Sequence, residues 1–343
     1  MMQKALLLKL LFVVTITPSF SQVKIRGNVI DQVNGKPVSF VNIGILNSGV
    51  GTISNDDGSF VVRIPTAHLK DTLIFSALGY KRRAIPISAI SRNESITISL
   101  QEKIIYLKPV VVSIKKEKEV DFKLGNRHHY GRIIYADSVA AGSAIALLIE
   151  NKHPSYYPDL TYPVFVEKAL LKIHKNTVGE FKVRVRLLEV DSANSNLPGE
   201  DILHESVVVT SKIKKGWLTF DLSSYNLKIA QPGFYLMFEW IMEDKDRLAL
   251  MDQYVQFKKQ NPDKVSVDTS LVNGEKILVN SYHGFTAGTL FAASYAQYYL
   301  DRFTCYYRLN SFGEWKIAPA ILTARIQLRN QPVFTPAPSS KSK

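Results

Sequence analysis

Gly51-Thr52-Ile53-Ser54-Asn55-Asp56-Asp57-Gly58-Ser59-Phe60-Val61-Val62-Arg63-Ile64 decides how the opening part of this chain is read. Asp57-Gly58 supplies the positive φ angles that tight turns demand, so Asn55-Asp56-Asp57-Gly58 reads as a hairpin turn. Beyond it Phe60, Val62 and Ile64 alternate with Val61 and Arg63, the period-two rhythm of a half-buried strand. Upstream, Val41, Ile43 and Ile45 share one face of a run that begins at Val38, and Asn34-Gly35 followed by Pro37 closes the run before it. Downstream, Leu73 and Phe75 alternate before Gly79, and Ile96, Ile98 and Leu100 end the set. About seven short strands in roughly ninety residues is the density of a small antiparallel sandwich.

These residues also carry a family resemblance. Gly27-x-Val29-x-Asp31, Gly35-Lys36-Pro37-Val38, Val41-Asn42-Ile43, Gly51-Thr52-x-Ser54-Asn55-x-Asp57-Gly58-x-Phe60, Asp71-x-Leu73-x-Phe75-Ser76-x-Leu78-Gly79-Tyr80 and Ile98-Ser99-Leu100 follow one another at family-like spacing. The stretch 22–113 resembles the carboxypeptidase-like regulatory domain, a transthyretin-like seven-stranded β-sandwich of exported and outer-membrane proteins, found at the N-terminus of many TonB-dependent transporters. Leu107-x-Pro109-Val110-Val111-Val112 looks like the short strand that follows it in transporters. The chain that remains is too short for a plug and a membrane barrel, so the transporter role is not implied.

Ahead of this domain, Lys4 and Lys9, an apolar run from Leu10 to Ile16 and the small residues up to Ser21 form the pattern of a cleavable signal peptide over 1–21. The chain is therefore expected to be exported, to the periplasm, the outer membrane or the exterior. No later run reaches the length of a membrane-spanning helix, and the best, Phe285 to Leu300, is broken by Gly288 and Gln297. That leaves a soluble protein or one associated peripherally with a membrane. The formal charge is +13, of which Lys4 and Lys9 supply two, and it is spread along the chain. With no basic stripe on a recognisable module, a nucleic-acid partner is not expected. Cys305 is the one cysteine; among Tyr306 and Tyr307 it reads as a buried thiol.

After a charged linker placed at 114–127, a second, larger jelly-roll-like β-sandwich is expected over 128–329. Its strands are read at Gly142 to Ile149, Val164 to Ile173, Phe181 to Val190, Ile202 to Val209, Trp217 to Leu222, Gly233 to Ile241 and Ile321 to Leu328. In the third of these Phe181, Val183, Val185 and Leu187 face the core, and Lys182, Arg184 and Arg186 face away. The pattern weakens between Asp244 and Phe312, which reads as a long insertion over about 244–312. A disordered tail is expected at 330–343. The fold class is all-β.

Catalytic constellations are not found in the text. There is no HExxH, HxxE, GxSxG, GxxxxGK[ST] or GxGxxG, so no catalytic, metal or cofactor residue is named. His128-His129 is the one histidine pair, and neighbours on a strand point to opposite faces, so it reads as a surface pair. Asp191 to Asp201 is rich in oxygen ligands, but its spacing fits a solvated hairpin loop better than a calcium loop. Of the aromatics Tyr156, Tyr157, Trp217, Trp240, Tyr282, Phe285, Tyr298 and Trp315, five are candidates for ligand contact: Tyr156, Tyr157, Tyr282, Phe285 and Tyr298. Three functions follow in order of preference. The first is a non-catalytic envelope accessory protein, its first domain docking or spacing and its second recognising a protein or glycan. The second is a carbohydrate-binding protein of a polysaccharide-use system. The third is a hydrolase with an unrecognised site.

Overall fold

The computed structural model describes residues 22–90, 95–103, 120–134, 142–152, 154–272, 275–282, 287–298 and 302–331, with backbone alone for 265–272, 275–282 and 298. The signal segment 1–21, the run 107–112 and most of the tail lie outside the described residues.

Seven strands form the first unit: β1 (Gln22–Asp31), β2 (Asn42–Gly44), β3 (Gly51–Ile53), β4 (Ser59–Pro65), β5 (Thr72–Ser76), β6 (Arg83–Pro86) and β7 (Ile96–Leu100). They make two sheets, β4-β1-β7 and β3-β2-β5-β6. Their inner faces supply Ile25, Val29, Phe60, Val62 and Ile64 from one sheet and Ile43, Leu73 and Phe75 from the other. Phe60 and Phe75 meet edge to face at 5.6 Å across this core. β1 runs antiparallel to β4 and parallel to β7. The parallel pairing explains Gly27, because a Cβ there would lie 2.1 Å from the carbonyl oxygen of Ile96. The turn at Asn55 to Gly58 forms, with Gly58 at φ +76°, but it is not a hairpin: β3 pairs with β2 and β4 with β1, so the turn hands the chain from one sheet to the other.

Several motif residues turn out to be braces. Asp31 Oδ1 accepts from the amides of Val33 (2.7 Å) and Asn34 (3.0 Å), and Oδ2 accepts from the Tyr80 hydroxyl at 3.1 Å. The Asn34 amide foremost among these donors holds the Asp31 carboxyl below its ordinary value, and burial beside that carboxylate pushes the Tyr80 phenol up to about 12. Ser54 Oγ, fully buried, accepts from the Val41 amide at 2.8 Å and donates to the Val38 carbonyl at 3.3 Å.

The second unit continues with β8 (Asp121–Gly125), β9 (Gly131–Ile134), β10 (Ala144–Ile149), β11 (Val164–Asn176), β12 (Phe181–Asp191), β13 (Leu197–Asp201), β14 (Val207–Ser211), β15 (Gly216–Asp221), β16 (Lys228–Ile229) and β17 (Phe234–Ile241). Then come α1 (Asp244–Gln260), β18 (Val265–Val272), β19 (Glu275–Tyr282), β20 (Thr289–Tyr295), β21 (Cys305–Arg308), β22 (Lys316–Ile317), β23 (Ala320–Leu322) and β24 (Ala324–Arg329). One sheet runs β13-β12-β17-β10-β21-β22 with β14 also on β12; the other runs β23-β20-β11-β24-β8, with β15 and β16 on β11 and β9 on β20. The chain exchanges sheets repeatedly, and one continuous core is filled from both, with Leu147, Val185 and Phe238 facing Leu171, Phe220, Phe291 and Ile326. The molecule is all-β with one α-helix among the described residues.

Four boundaries differ from the sequence reading. The stretch read as linker, 114–127, ends inside the second sandwich: Asp121–Gly125 pairs with β24 and buries Phe122 and Leu124. The run Ile202 to Val209 is strand only from Val207, where β14 begins; Ile202 to Ser206, with the polar His204-Glu205-Ser206, connects it to β13, which ends at Asp201, and both strands pair with β12. The insertion is shorter than 244–312, because β20 sits inside one sheet beside β11 and β21 pairs with β10 in the other; it closes at Gly288. At the far end Asn330 is held, its Oδ1 accepting from the Val120 amide at 3.1 Å.

Candidate functional site

β17 is buried at all eight positions. A strand packed on one face only would alternate; here Leu236, Phe238 and Trp240 enter the core, and the opposite face lies against other cover. At its upper end that cover is the first sandwich. Glu239, fully buried, pairs with Arg184 on β12, Nη1 to Oε2 at 2.9 Å, and its Oε1 accepts from the Ser311 hydroxyl at 3.0 Å. The Arg184 guanidinium also crosses into the first unit: Nη2 donates to the Phe40 carbonyl, and Nη1, which pairs with Glu239, lies 3.4 Å from Asn42 Oδ1. Phe40 holds φ +54°, uncommon for a bulky residue, and the carbonyl so aimed is the one Arg184 reaches. Around this centre Asn310 Nδ2 donates to the Ser48 carbonyl at 2.7 Å, the Asn47 amide to the Phe312 carbonyl at 2.9 Å, and Phe40 and Ile53 pack on Ile241.

Arg184 was expected to face away from the core; it does, but the first sandwich covers that face and leaves it 3% exposed. Burial by itself raises Glu239, and Arg184, Arg186 and Arg308 outweigh it, holding the carboxyl below its ordinary value. An ionised, saturated and sealed carboxylate has neither a proton to give nor a path to a substrate, so its work is structural. Cys305 is likewise closed to chemistry: 1% exposed, with burial pushing its thiol up to about 12.

The insertion starts at this seam. Glu243 caps α1 in a reciprocal box with Asp246, whose carboxylate accepts from the Glu243 amide at 2.9 Å. Glu243 also pairs with Lys182 on β12 and accepts from the Asp56 amide of the first sandwich at 3.1 Å. Arg247 Nη2 reaches Thr52 Oγ1 at 3.2 Å. One flank of α1 rests on the second unit, with Leu250 over the cleft that holds Trp240 and Gln253 Nε2 donating to the Thr177 carbonyl at 3.2 Å. The other flank presents Leu248, Met251 and Val255, 67%, 57% and 40% exposed and spaced i, i+3, i+7. Beyond it β18 and β19 pair with each other and, among the described residues, with no other strand.

The five ligand-contact candidates do not assemble into one platform. Tyr156 is 73% exposed. Tyr157, beside it, turns inward: its ring meets Phe122 edge to face at 6.3 Å and its hydroxyl donates to the Lys123 carbonyl at 2.7 Å, pinning β8. Tyr282 ends β19 and Tyr298 ends a short helical turn, with backbone alone described; Phe285 lies outside the described residues. Of the wider aromatic group, Trp240 is core, stacked on Phe291 at 3.8 Å, while Trp217 and Trp315 lie under Lys172 and Arg308 on different sheets. The oxygen-rich loop Asp191 to Asp201 is the β12–β13 hairpin, and Asp201 is taken by Arg186, whose Nε donates to it at 2.7 Å.

His128-His129 is the one pair in the sequence, but in the fold His129 meets a different histidine, His174. His129 Nε2 lies 3.0 Å from His174 Nδ1, while the neighbouring His128 ring stacks on Tyr130 at 5.8 Å. His129 and His174 stand forty-five residues apart in sequence, so nothing local in the text announced their meeting.

No helix among the described residues is long and apolar enough to cross a membrane. No match to a curated protein is found. Residues 25–112, the stretch that builds β1 to β7, match the model of the CarboxypepD_reg-like domain, so the first sandwich is a domain of that non-catalytic type.

Proposed function

We propose that this chain is an exported, non-catalytic accessory protein of the cell envelope that recognises another envelope protein. The first sandwich serves as the docking and spacing module, and the second presents the recognition surface. The observation that carries this reading is the insertion: a helix anchored on both sandwiches through Glu243 and Arg247 that offers the apolar stripe Leu248, Met251 and Val255, continued by a two-stranded ribbon that pairs with no other strand among the described residues. Isolated two-stranded ribbons are marginal in water and exposed apolar stripes are costly, and both gain by contact with a protein partner. Export rests on the basic, apolar and small-residue order of 1–21. A glycan surface draws less support, because among the described side chains the aromatics that would stack on sugars do not share one face: Trp240 is core, and the exposed Tyr156 and Trp217 stand apart.

The test is site-directed crosslinking in the native host, with a photoreactive residue at Met251 and a control at exposed Arg63. Expected is one discrete protein adduct from position 251 that is lost in Leu248→Asp, together with a mature N-terminus at Gln22 by mass spectrometry. Adducts no different from those at Arg63, or an uncleaved cytoplasmic protein, would overturn the reading.

A further inference from the structure

We infer that His129 and His174 form a two-histidine binding site for a divalent transition-metal ion of the copper and nickel class. The two rings approach through ring nitrogens, His129 Nε2 to His174 Nδ1, at 3.0 Å, with centroids 5.0 Å apart and planes at 61°. His129 Nδ1 lies 2.9 Å from the Ala293 carbonyl, which accepts its proton and leaves a lone pair on Nε2. That is the arrangement metal-binding histidines use, with the outer nitrogen tied to a carbonyl and the inner one free to coordinate.

Both residues are fixed by the sheet rather than carried on loose loops. β11 and β20 change register between Ile173 and Lys175, so His174 is the extra residue of a β-bulge, a device that re-aims a side chain. His129 ends a clamped segment just before β9. The His128 carbonyl accepts from Asn126 Nδ2 (3.2 Å), Ser294 Oγ (3.0 Å) and Thr323 Oγ1 (2.6 Å), and Asn126 Nδ2 also reaches the Leu322 carbonyl at 3.1 Å. Four elements thus converge to hold one imidazole against another.

The spacing suits one class of ion better than another. With metal–nitrogen bonds of about 2.0–2.1 Å, nitrogens held 3.0 Å apart subtend about 91–97° at the ion, the cis angle of square-planar or octahedral coordination; a tetrahedral ion needs them about 3.3–3.4 Å apart. Imidazoles without carboxylates do not suit calcium or magnesium. Lys215 and Lys175 lie near His174 and oppose a cation there. The ion must therefore bind nitrogen strongly, and water completes its shell. In the metal-free protein the two rings share a hydrogen bond, His174 Nδ1–H to His129 Nε2. On binding, His174 changes tautomer, carrying its proton on Nε2, so that both facing nitrogens coordinate.

The test is calorimetric titration of the untagged mature chain with Ni²⁺ and with Cu²⁺ near pH 7.5, paired with the nitrogen hyperfine pattern of bound Cu²⁺. Expected is one saturable ion per chain with two equivalent imidazole nitrogens, at least about tenfold weaker binding in His129→Gln and in His174→Gln, and unchanged binding in His128→Gln. Thermal unfolding in a chelator checks that each variant remains folded. The absence of saturable binding, or affinity in His129→Gln and His174→Gln equal to that of the parent, would overturn the assignment.

Discussion

β4 and β17 are each among the longer strands of their sandwiches, and they are buried in opposite ways. β4 alternates, with Phe60, Val62 and Ile64 covered and Arg63 in water. β17 is covered at every position and carries one charge, Glu239, at its most shielded point. The difference comes from what lies behind each strand. Solvent lies behind β4, so its outward residues are free to be polar. Behind the upper part of β17 lies the first sandwich, and an outward charge there must find its counter-charge inside the protein. Arg184, one strand over, answers it and ties both to the Phe40 carbonyl across the seam. A buried pair of this kind fixes how two domains meet more than it adds stability, since replacing both partners by apolar groups is often neutral while removing one is not.

The sharpest way to break the comparison is to remove one arginine from each setting. Arg184→Ala leaves Glu239 buried without its direct ion-pair partner, with only Arg186 and Arg308 near it, and is expected to cost about 3–5 kcal/mol in urea unfolding. Arg63→Ala, in water on β4, is expected to stay within about 0.5 kcal/mol. Equal losses would mean that the seam is open to solvent.

Gly27→Ala comes next, because its Cβ falls 2.1 Å from a backbone oxygen that the parallel β1–β7 pair cannot move without separating. A loss of about 1–3 kcal/mol is expected from the overpacking. A neutral result would show that β7 is loosely held.

A smaller and pH-dependent effect sharpens the account of Glu239. Its folded carboxyl is held below the ordinary value of 4.5, so its contribution is present above that value and lost as pH falls through the folded one. Glu239→Gln should therefore lower stability at pH 7 and flatten its decline below about pH 5. Curves that remain parallel to those of the parent would contradict this sign.

The smallest stability effect belongs to the exposed stripe. Leu248→Asp on the outer flank of α1 is expected to change unfolding by no more than about 0.5 kcal/mol, because Leu248 is 67% exposed. A larger loss would mean that this flank is packed.

The first sandwich was legible because its signals are local. Asp57-Gly58, Asn34-Gly35 and the alternation of Phe60, Val62 and Ile64 each determine a few neighbouring residues, and Asp31 reaches its amide partners within three positions. What the text does not hold is what comes to lie behind a strand. Lys182, Arg184 and Arg186 alternate as solvent-facing residues do, and only the docking of a domain whose Phe40 precedes Arg184 by 144 residues turns that face inward. The meeting of His129 and His174 is equally non-local and depends on a bulge in β11 that has no residue signature. α1 is a different case. Glu243 and Asp246 cap it reciprocally, but Glu-x-x-Asp is not the usual Ser/Thr-x-x-Glu signature, and Leu250 falls on the opposite flank from Leu248, Met251 and Val255, so the apolar residues do not mark one face in the text.

If the Arg184–Glu239 seam makes the two sandwiches one cooperative body, scanning calorimetry of the mature chain should show a single transition. Its van't Hoff and calorimetric enthalpies should agree, with a ratio of about 1, and Arg184→Ala should lower that midpoint or split the transition. Two separate transitions in the parent chain, with Arg184→Ala shifting only the one that belongs to the second sandwich, would contradict the account.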